Sequence, residues 1–270
     1  GDPGRAGARA ARARGGMPVT KHLVSEVGVA YRLLRKGVPR AQLEIQGRLL
    51  DAAGQRGSVA SIIRVVHRDG KAMSAANAST ALHLLAEAAV AGCSAAEVES
   101  SRSVCPSLLD SVVAGAGVRP QDLAAASWAL AKLLVDDPGL LGALAGAVSA
   151  GVAGFDGQEV ATVAWAFASL RAAPAGGLFG ALAGAAAGDA ERYSPRHLVG
   201  VLWALAAVRA HHQDCLWAAA RVAQASGARG WSSQDVANAL WAFAVLRGGA
   251  PAPLPAAAAR AASLGWGAFP

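Results

Sequence analysis

Three arginines recur at a fixed interval in the second half of the 270-residue chain. Arg171, Arg209 and Arg247 stand 38 residues apart, and each follows a tryptophan by six residues. A column of cations on one edge of the molecule could follow a chain of phosphates. A cation at a helix C-terminus also offsets the helix dipole and bonds free carbonyl groups. The sequence leaves both interpretations open, and they are compatible.

Further polar residues stand close to the same tryptophans. Lys132 lies near the arginine position in a repeat that has no arginine there. Thr162 and Asn238 lie three residues before their tryptophans and carry groups that could read the edge of a base. The other members of that row are Ala125 and Gly200. Because the row is mostly small and aliphatic, packing between helices and a local bond of Asn238 is the favoured interpretation.

The elements that must position these residues form a repeat. Trp128, Trp165, Trp203 and Trp241 stand in similar phrases, such as EVATVAWAFASLR and DVANALWAFAVLR, at steps of 37, 38 and 38 residues. A fixed period in this range is typical of stacked helical hairpins. The sequence therefore predicts an all-α protein, an α-solenoid of stacked antiparallel helix pairs with a repeat of about 38 residues. Core packing is favoured over base stacking for the tryptophans, because they lie inside apolar phrases.

Local signals place the first helix of each pair. Asp156 and Glu159 form the pattern of a capping box, and Ser194 and Ser232 stand at the same offset from their tryptophans. The predicted first helices are residues 118–135, 156–171, 194–209 and 232–247.

Three regions follow from this organisation. Residues 1–19 are predicted to be a disordered basic arm or the remnant of an organelle transit peptide. Residues 20–72 are predicted to form degenerate N-terminal capping helices. Residues 73–270 hold about five units, with His83 where the later units have tryptophan.

Charge is distributed unevenly along the chain. The formal net charge is +7, yet residues 41–270 carry sixteen basic and sixteen acidic residues, so the excess belongs to residues 1–40. Three cysteines without close spacing indicate a reducing compartment. No apolar stretch is long enough to predict membrane insertion. The sequence from His211 to Cys215 has no standard metal-ligand spacing, so neither a metal nor another cofactor is expected.

The phrases YSPRHLVGVLWALAAV and WSSQDVANALWAFAVL resemble the octotricopeptide repeat proteins of algal organelles. They are also similar to the helical repeats of FAST-kinase-like and RAP-domain proteins. The resemblance covers roughly residues 60–265. It implies a soluble protein of the mitochondrion or chloroplast that binds single-stranded RNA or rRNA. Its roles would be RNA processing, stability or translation, in some relatives as part of an organellar ribonucleoprotein.

Two other classes of function remain as alternatives. A protein-interaction scaffold, or a structural subunit of a large ribonucleoprotein such as the ribosome, suits the neutral, alanine-rich units. An enzyme is not expected, because the sequence has no phosphate-binding glycine loop with a following lysine, no nucleophile elbow and no HExxH motif.

Overall fold

The computed structural model describes residues 38–55, 58–115, 117–171, 177–226 and 229–246. Contacts divide the chain into two compact units, residues 1–44 and residues 45–270, and only residues 38–44 of the first are described. The predicted basic arm and Arg247 lie outside the described residues.

The described residues form eleven α-helices and contain no strand. The helices are α1 (Arg40–Ala53), α2 (Ser58–Asp69), α3 (Ala75–Val90), α4 (Ala95–Val113), α5 (Pro120–Leu133), α6 (Pro138–Gly151), α7 (Gly157–Leu170), α8 (Leu178–Gly188), α9 (Pro195–Ala207), α10 (Gln213–Ser226) and α11 (Ser233–Leu246). The all-α prediction is confirmed.

The helices of the second unit pack in two layers. The first helices of the repeats, α3, α5, α7, α9 and α11, lie side by side, each against the next in the chain. The second helices, α4, α6, α8 and α10, form the other layer in the same order, and α2 packs against α3 and α4. This arrangement is an α-solenoid of stacked helix pairs, as the tryptophan period predicted.

The first helices begin where the capping signals placed them. Asp156 and Glu159 form a reciprocal capping box, with both backbone-to-carboxylate distances at 2.8 Å. The hydroxyl of Ser194 accepts from the backbone N–H of His197, and Ser232 and Asp235 form a similar pair. Each such bond satisfies a backbone donor that the first turn leaves unpaired. The predicted first helices therefore differ from α5, α7, α9 and α11 by only one or two residues at each end.

Small residues allow adjacent repeats to approach closely. Alanine, leucine and valine make up most of the buried core that runs from α1 to α11. Gly157 opens α7 beneath the ring of Tyr193, which belongs to the next repeat. A Cβ atom on Gly157 would lie 3.0 Å from Cγ of Tyr193. A larger residue there would require Tyr193 to shift by a few tenths of an ångström, because this contact is tighter than nine in ten real Cβ contacts.

Candidate functional site

Most residues of one stripe along the first helices are at least partly exposed, with His83 and Trp128 as buried exceptions. The stripe contains the repeat tryptophan, the residues seven and three positions before it, and the residue four positions after it. These spacings place all four on one face of a helix. We call the five aligned stripes the outer stripe. Its members are Ala76, Thr80, His83 and Glu87; Gln121, Ala125, Trp128 and Lys132; Gln158, Thr162, Trp165 and Ser169; Arg196, Gly200, Trp203 and Ala207; and Gln234, Asn238, Trp241 and Val245.

The outer stripe brings together three of the predicted site residues, Lys132, Thr162 and Asn238. It also contains a polar row that the sequence analysis missed, seven residues before each tryptophan. That row holds Gln121, Gln158, Arg196 and Gln234, all of them exposed. The signal was present in the sequence, since aligning the repeats on tryptophan places these four polar residues in one column.

Exposure of the aligned tryptophans increases along the array. Trp128 is 4% exposed, Trp165 and Trp203 are half-buried, and Trp241 is 43% exposed. The prediction that all four rings are core residues is correct for Trp128 and wrong for Trp241. The tryptophan position lies on the open face, so burial depends on which neighbouring side chain covers each ring.

One lysine covers two of these rings. The Nζ atom of Lys132 lies 5.8 Å from the ring centre of Trp128 and 4.8 Å from that of Trp165 in the next repeat. Both distances are within the range of cation–π attraction. Two repeats further on, the ring centres of Trp203 and Trp241 lie 6.5 Å apart, and the described residues place no cation over either ring.

Two polar side chains at the beginning of the outer stripe have unsatisfied buried atoms. Both ring nitrogens of His83 and the Oε1 atom of Glu87 are buried without a hydrogen-bond partner. The His83 ring lies 4.7 Å, centre to centre, from that of Trp128, and burial lowers the pKa of His83 to about 4. Burial raises the pKa of Glu87, an effect that the charge of Lys132 opposes. A buried polar atom without a partner is costly, so these atoms need an explanation.

Thr162 and Asn238 bond within their own helices. The hydroxyl of Thr162 donates to the backbone carbonyl of Gln158 at 2.8 Å, and Nε2 of Gln234 donates to Oδ1 of Asn238 at 2.8 Å. The local bond expected for Asn238 is therefore present. Neither side chain is fully buried. The bond from Gln234 uses only Oδ1 of Asn238, so it leaves the N–H donors of that amide unused.

The arginine position has an unusual backbone. Arg171, Arg209 and their counterpart Leu134 have φ values of 50°, 56° and 55°, and no other non-glycine residue among those described has a positive φ. A left-handed residue at this place ends an α-helix, although glycine is the usual choice. All three first helices thus end in the same way at the same position of the repeat.

Backbone groups satisfy the carbonyls at these helix ends. The N–H of Arg209 donates to Ala206 at 3.1 Å, and that of Ala210 donates to Leu205 at 2.8 Å, which is the Schellman pattern. The guanidinium groups of Arg171 and Arg209 are exposed and make no hydrogen bond or ion pair with a described residue. In the structure, the side chains of Arg171 and Arg209 therefore do not bond the carbonyls at the helix ends.

A separate row of capping residues links the repeats. Ser79 of α3 donates to Asp122 at 3.1 Å, and Arg119 pairs with Asp122 at 2.8 Å. Glu159, at the same repeat position as Asp122, is buried beside it. Burial raises the pKa of Glu159, and Asp122 adds to this rise while Arg119 opposes it. These buried contacts fix the register of neighbouring first helices along the edge opposite Arg171 and Arg209.

Other classes of site find little support in the part of the chain that the structure describes. It contains no group of three His, Cys, Asp or Glu residues close enough to hold a metal. His212 instead caps α10, where its Nδ1 accepts from the backbone N–H of Cys215. None of the described helices combines the length and the apolar character that crossing a membrane requires.

The sequence matches no protein-family model, and it matches no curated protein. The α-solenoid fold and the outer stripe therefore define the class of protein, and function has to be argued from their side chains.

Proposed function

We propose that this protein binds single-stranded RNA along the outer stripe and acts in the processing, stability or translation of organellar RNA. The observation that carries this proposal is the half-exposed indole of Trp241 beside Trp203, on an open face that also holds a polar side chain in most repeats. Single strands are bound by rows of aromatic rings that stack bases and by polar groups that contact base edges.

The outer stripe offers a different set of contacts in each repeat. Exposed rings stack bases of any sequence, with about 1–3 kcal/mol per base. Gln121, Gln158 and Gln234 each provide an amide that both donates and accepts hydrogen bonds. Arg196 replaces glutamine in one repeat and adds a positive charge to the same row. A strand that follows the layer of first helices therefore meets a different set of side chains in each repeat.

Arginines at one edge of this face would bind the phosphates of the strand. Arg171 and Arg209 end their helices with exposed guanidinium groups that have no partner among the described residues. Because residues 41–270 are neutral overall, binding by the helical array itself depends on such localised cations and not on its net charge. The resemblance to octotricopeptide repeat proteins and the arginine-rich residues 1–16 support a mitochondrial or chloroplast location.

A protein scaffold is the second candidate function. Trp217 on α10 is 42% exposed and belongs to the layer of second helices, away from the outer stripe. Exposed tryptophans are enriched at protein interfaces. A structural subunit of an organellar ribonucleoprotein would use this surface for protein and the outer stripe for RNA.

Ultraviolet crosslinking of the protein in its cells, followed by sequencing of the attached RNA, tests the proposal. We expect a small set of transcripts, attached at peptides from α5, α7, α9 and α11. Recovery of rRNA together with ribosomal proteins would favour the structural subunit. Absence of any attached RNA would reject the proposal.

A further inference from the structure

The contacts of Lys132 indicate a defined subsite within the outer stripe. Its ammonium lies between two rings of consecutive repeats, 5.8 Å from Trp128 and 4.8 Å from Trp165. The aliphatic stem of a lysine is flexible and its ammonium is compact and strongly hydrated, so the charge can leave the rings for a phosphate or for water. The ammonium of Lys132 can thus be displaced from the space beside the indoles of Trp128 and Trp165.

Glu87 gives this place an acceptor that nothing uses. Its Oε1 atom is buried without a partner, although the carboxylate is near enough to Lys132 for their charges to interact. Burial partly desolvates both groups, and they do not form an ion pair with each other in the structure. A buried acceptor without a partner, close to a pair of rings, suits a flat ligand that carries a hydrogen-bond donor on its edge.

We propose that Trp128, Lys132, Trp165 and Glu87 form a subsite for one nucleobase that carries an exocyclic amine. The base stacks on the indoles in the place that Lys132 now occupies, and its amine donates to Oε1 of Glu87. The displaced ammonium then binds a phosphate of the same strand. This subsite rests on the proposed RNA binding and adds a base preference to it.

Cytosine and uracil distinguish the subsite from stacking alone. The two bases have nearly the same size, but cytosine has an amine at the position where uracil has a carbonyl oxygen. A carboxylate accepts a hydrogen bond from the amine and repels the carbonyl. A well-made base contact gives at least about fivefold discrimination, which corresponds to the lower end of measured base contacts.

The experiment measures binding of the full chain to oligocytidine and oligouridine of equal length near neutral pH. We expect at least about fivefold tighter binding of oligocytidine, and Glu87→Gln is expected to reduce that preference to less than about twofold. The matched control is Glu99→Gln, which removes the same charge from an exposed position on α4 and should leave the preference unchanged. Thermal melting verifies that both variants fold.

Two outcomes separate the subsite from the wider proposal. Equal affinity of the wild-type protein for both oligomers, or an unchanged preference in Glu87→Gln, would reject the subsite and leave RNA binding standing. Binding of neither oligomer would reject both. Lys132→Met gives a second readout, because loss of its phosphate contact should weaken the salt dependence of oligocytidine binding.

Discussion

The ring of His83 lies 4.7 Å from that of Trp128, although 45 residues separate them and the later tryptophans are 37 or 38 residues apart. The additional residues are largely absorbed by α4, which has 19 residues where α6 has 14. The longer second helix therefore leaves the first helices in register. His83 is consequently the first member of the aromatic row, in a position too buried for its ring nitrogens to reach water.

This burial makes stability depend on pH. The pKa of His83 is lowered from 6.5 to about 4, so an unfolded chain takes up a proton at a pH where the folded chain does not. Stability is therefore lost as the pH falls from about 6.5 through about 4. At a pH of about 4.5 the loss due to His83 is roughly 2–3 kcal/mol.

His83→Phe removes this titration and keeps a ring against Trp128. We expect the variant to be at least as stable as the wild-type protein at neutral pH, because no hydrogen bond of His83 is lost. At a pH of about 4.5 its free energy of unfolding should exceed that of the wild-type protein by roughly 2–3 kcal/mol. Urea unfolding at both pH values measures this, and an equal acid-induced loss in the two proteins would contradict the assignment.

Tryptophan replacements should follow the gradient of exposure. Trp128→Ala should cost roughly 3–5 kcal/mol, as expected for a buried aromatic ring. Trp203→Ala should cost about 2–3 kcal/mol, and Trp241→Ala about 1 kcal/mol, because folding removes less of these two side chains from water. Denaturant unfolding of the three variants provides the comparison. Equal costs would show that the rings have equivalent roles in the core.

The left-handed helix ends predict a stabilising change. Leu134 has a φ of 55° and a side chain that is 56% exposed. Glycine avoids a backbone cost of about 1–2 kcal/mol there and loses about 0.5–1 kcal/mol through its freedom in the unfolded chain. Leu134→Gly should therefore raise the free energy of unfolding by about 0.5–1 kcal/mol.

Calorimetry of Leu134→Gly is best compared with Leu134→Ala, which shortens the side chain and keeps the strain. The alanine variant should be no more stable than the wild-type protein. If both variants melt at the same temperature, the φ value has no energetic consequence.

Much of the fold could be predicted from local signals. The spacing of the tryptophans and the capping residues, such as Asp156 with Glu159, report on structure within one repeat, so the sequence reveals them directly. The outer stripe could not be predicted in the same way. Whether Trp128 or Trp241 is buried depends on side chains from neighbouring helices, and the position of Lys132 between two repeats is a property of the assembled array.

The arginine row shows a different limit of sequence reasoning. Its period was evident, but helix-end bonding and phosphate contact predict the same spacing. At Arg209 the backbone N–H groups satisfy the carbonyls and the guanidinium is exposed, so its side chain does not bond the helix end. Its charge still offsets the helix dipole, and phosphate contact stays a prediction. Arg247 continues the period beyond the described residues, so its place in the row remains a prediction.

The salt dependence of RNA binding tests the central claim most directly. The double replacement Arg171→Gln and Arg209→Gln should weaken binding of single-stranded RNA of any sequence, without loss of folding. It should also reduce the slope of log affinity against log salt by about 1.4, at about 0.7 for each lost phosphate contact. The matched control, Arg221→Gln with Arg229→Gln, removes two exposed arginines from α10 and the segment after it, and should leave the slope unchanged. An unchanged affinity and slope in the Arg171 and Arg209 variant would contradict the account and favour a protein scaffold.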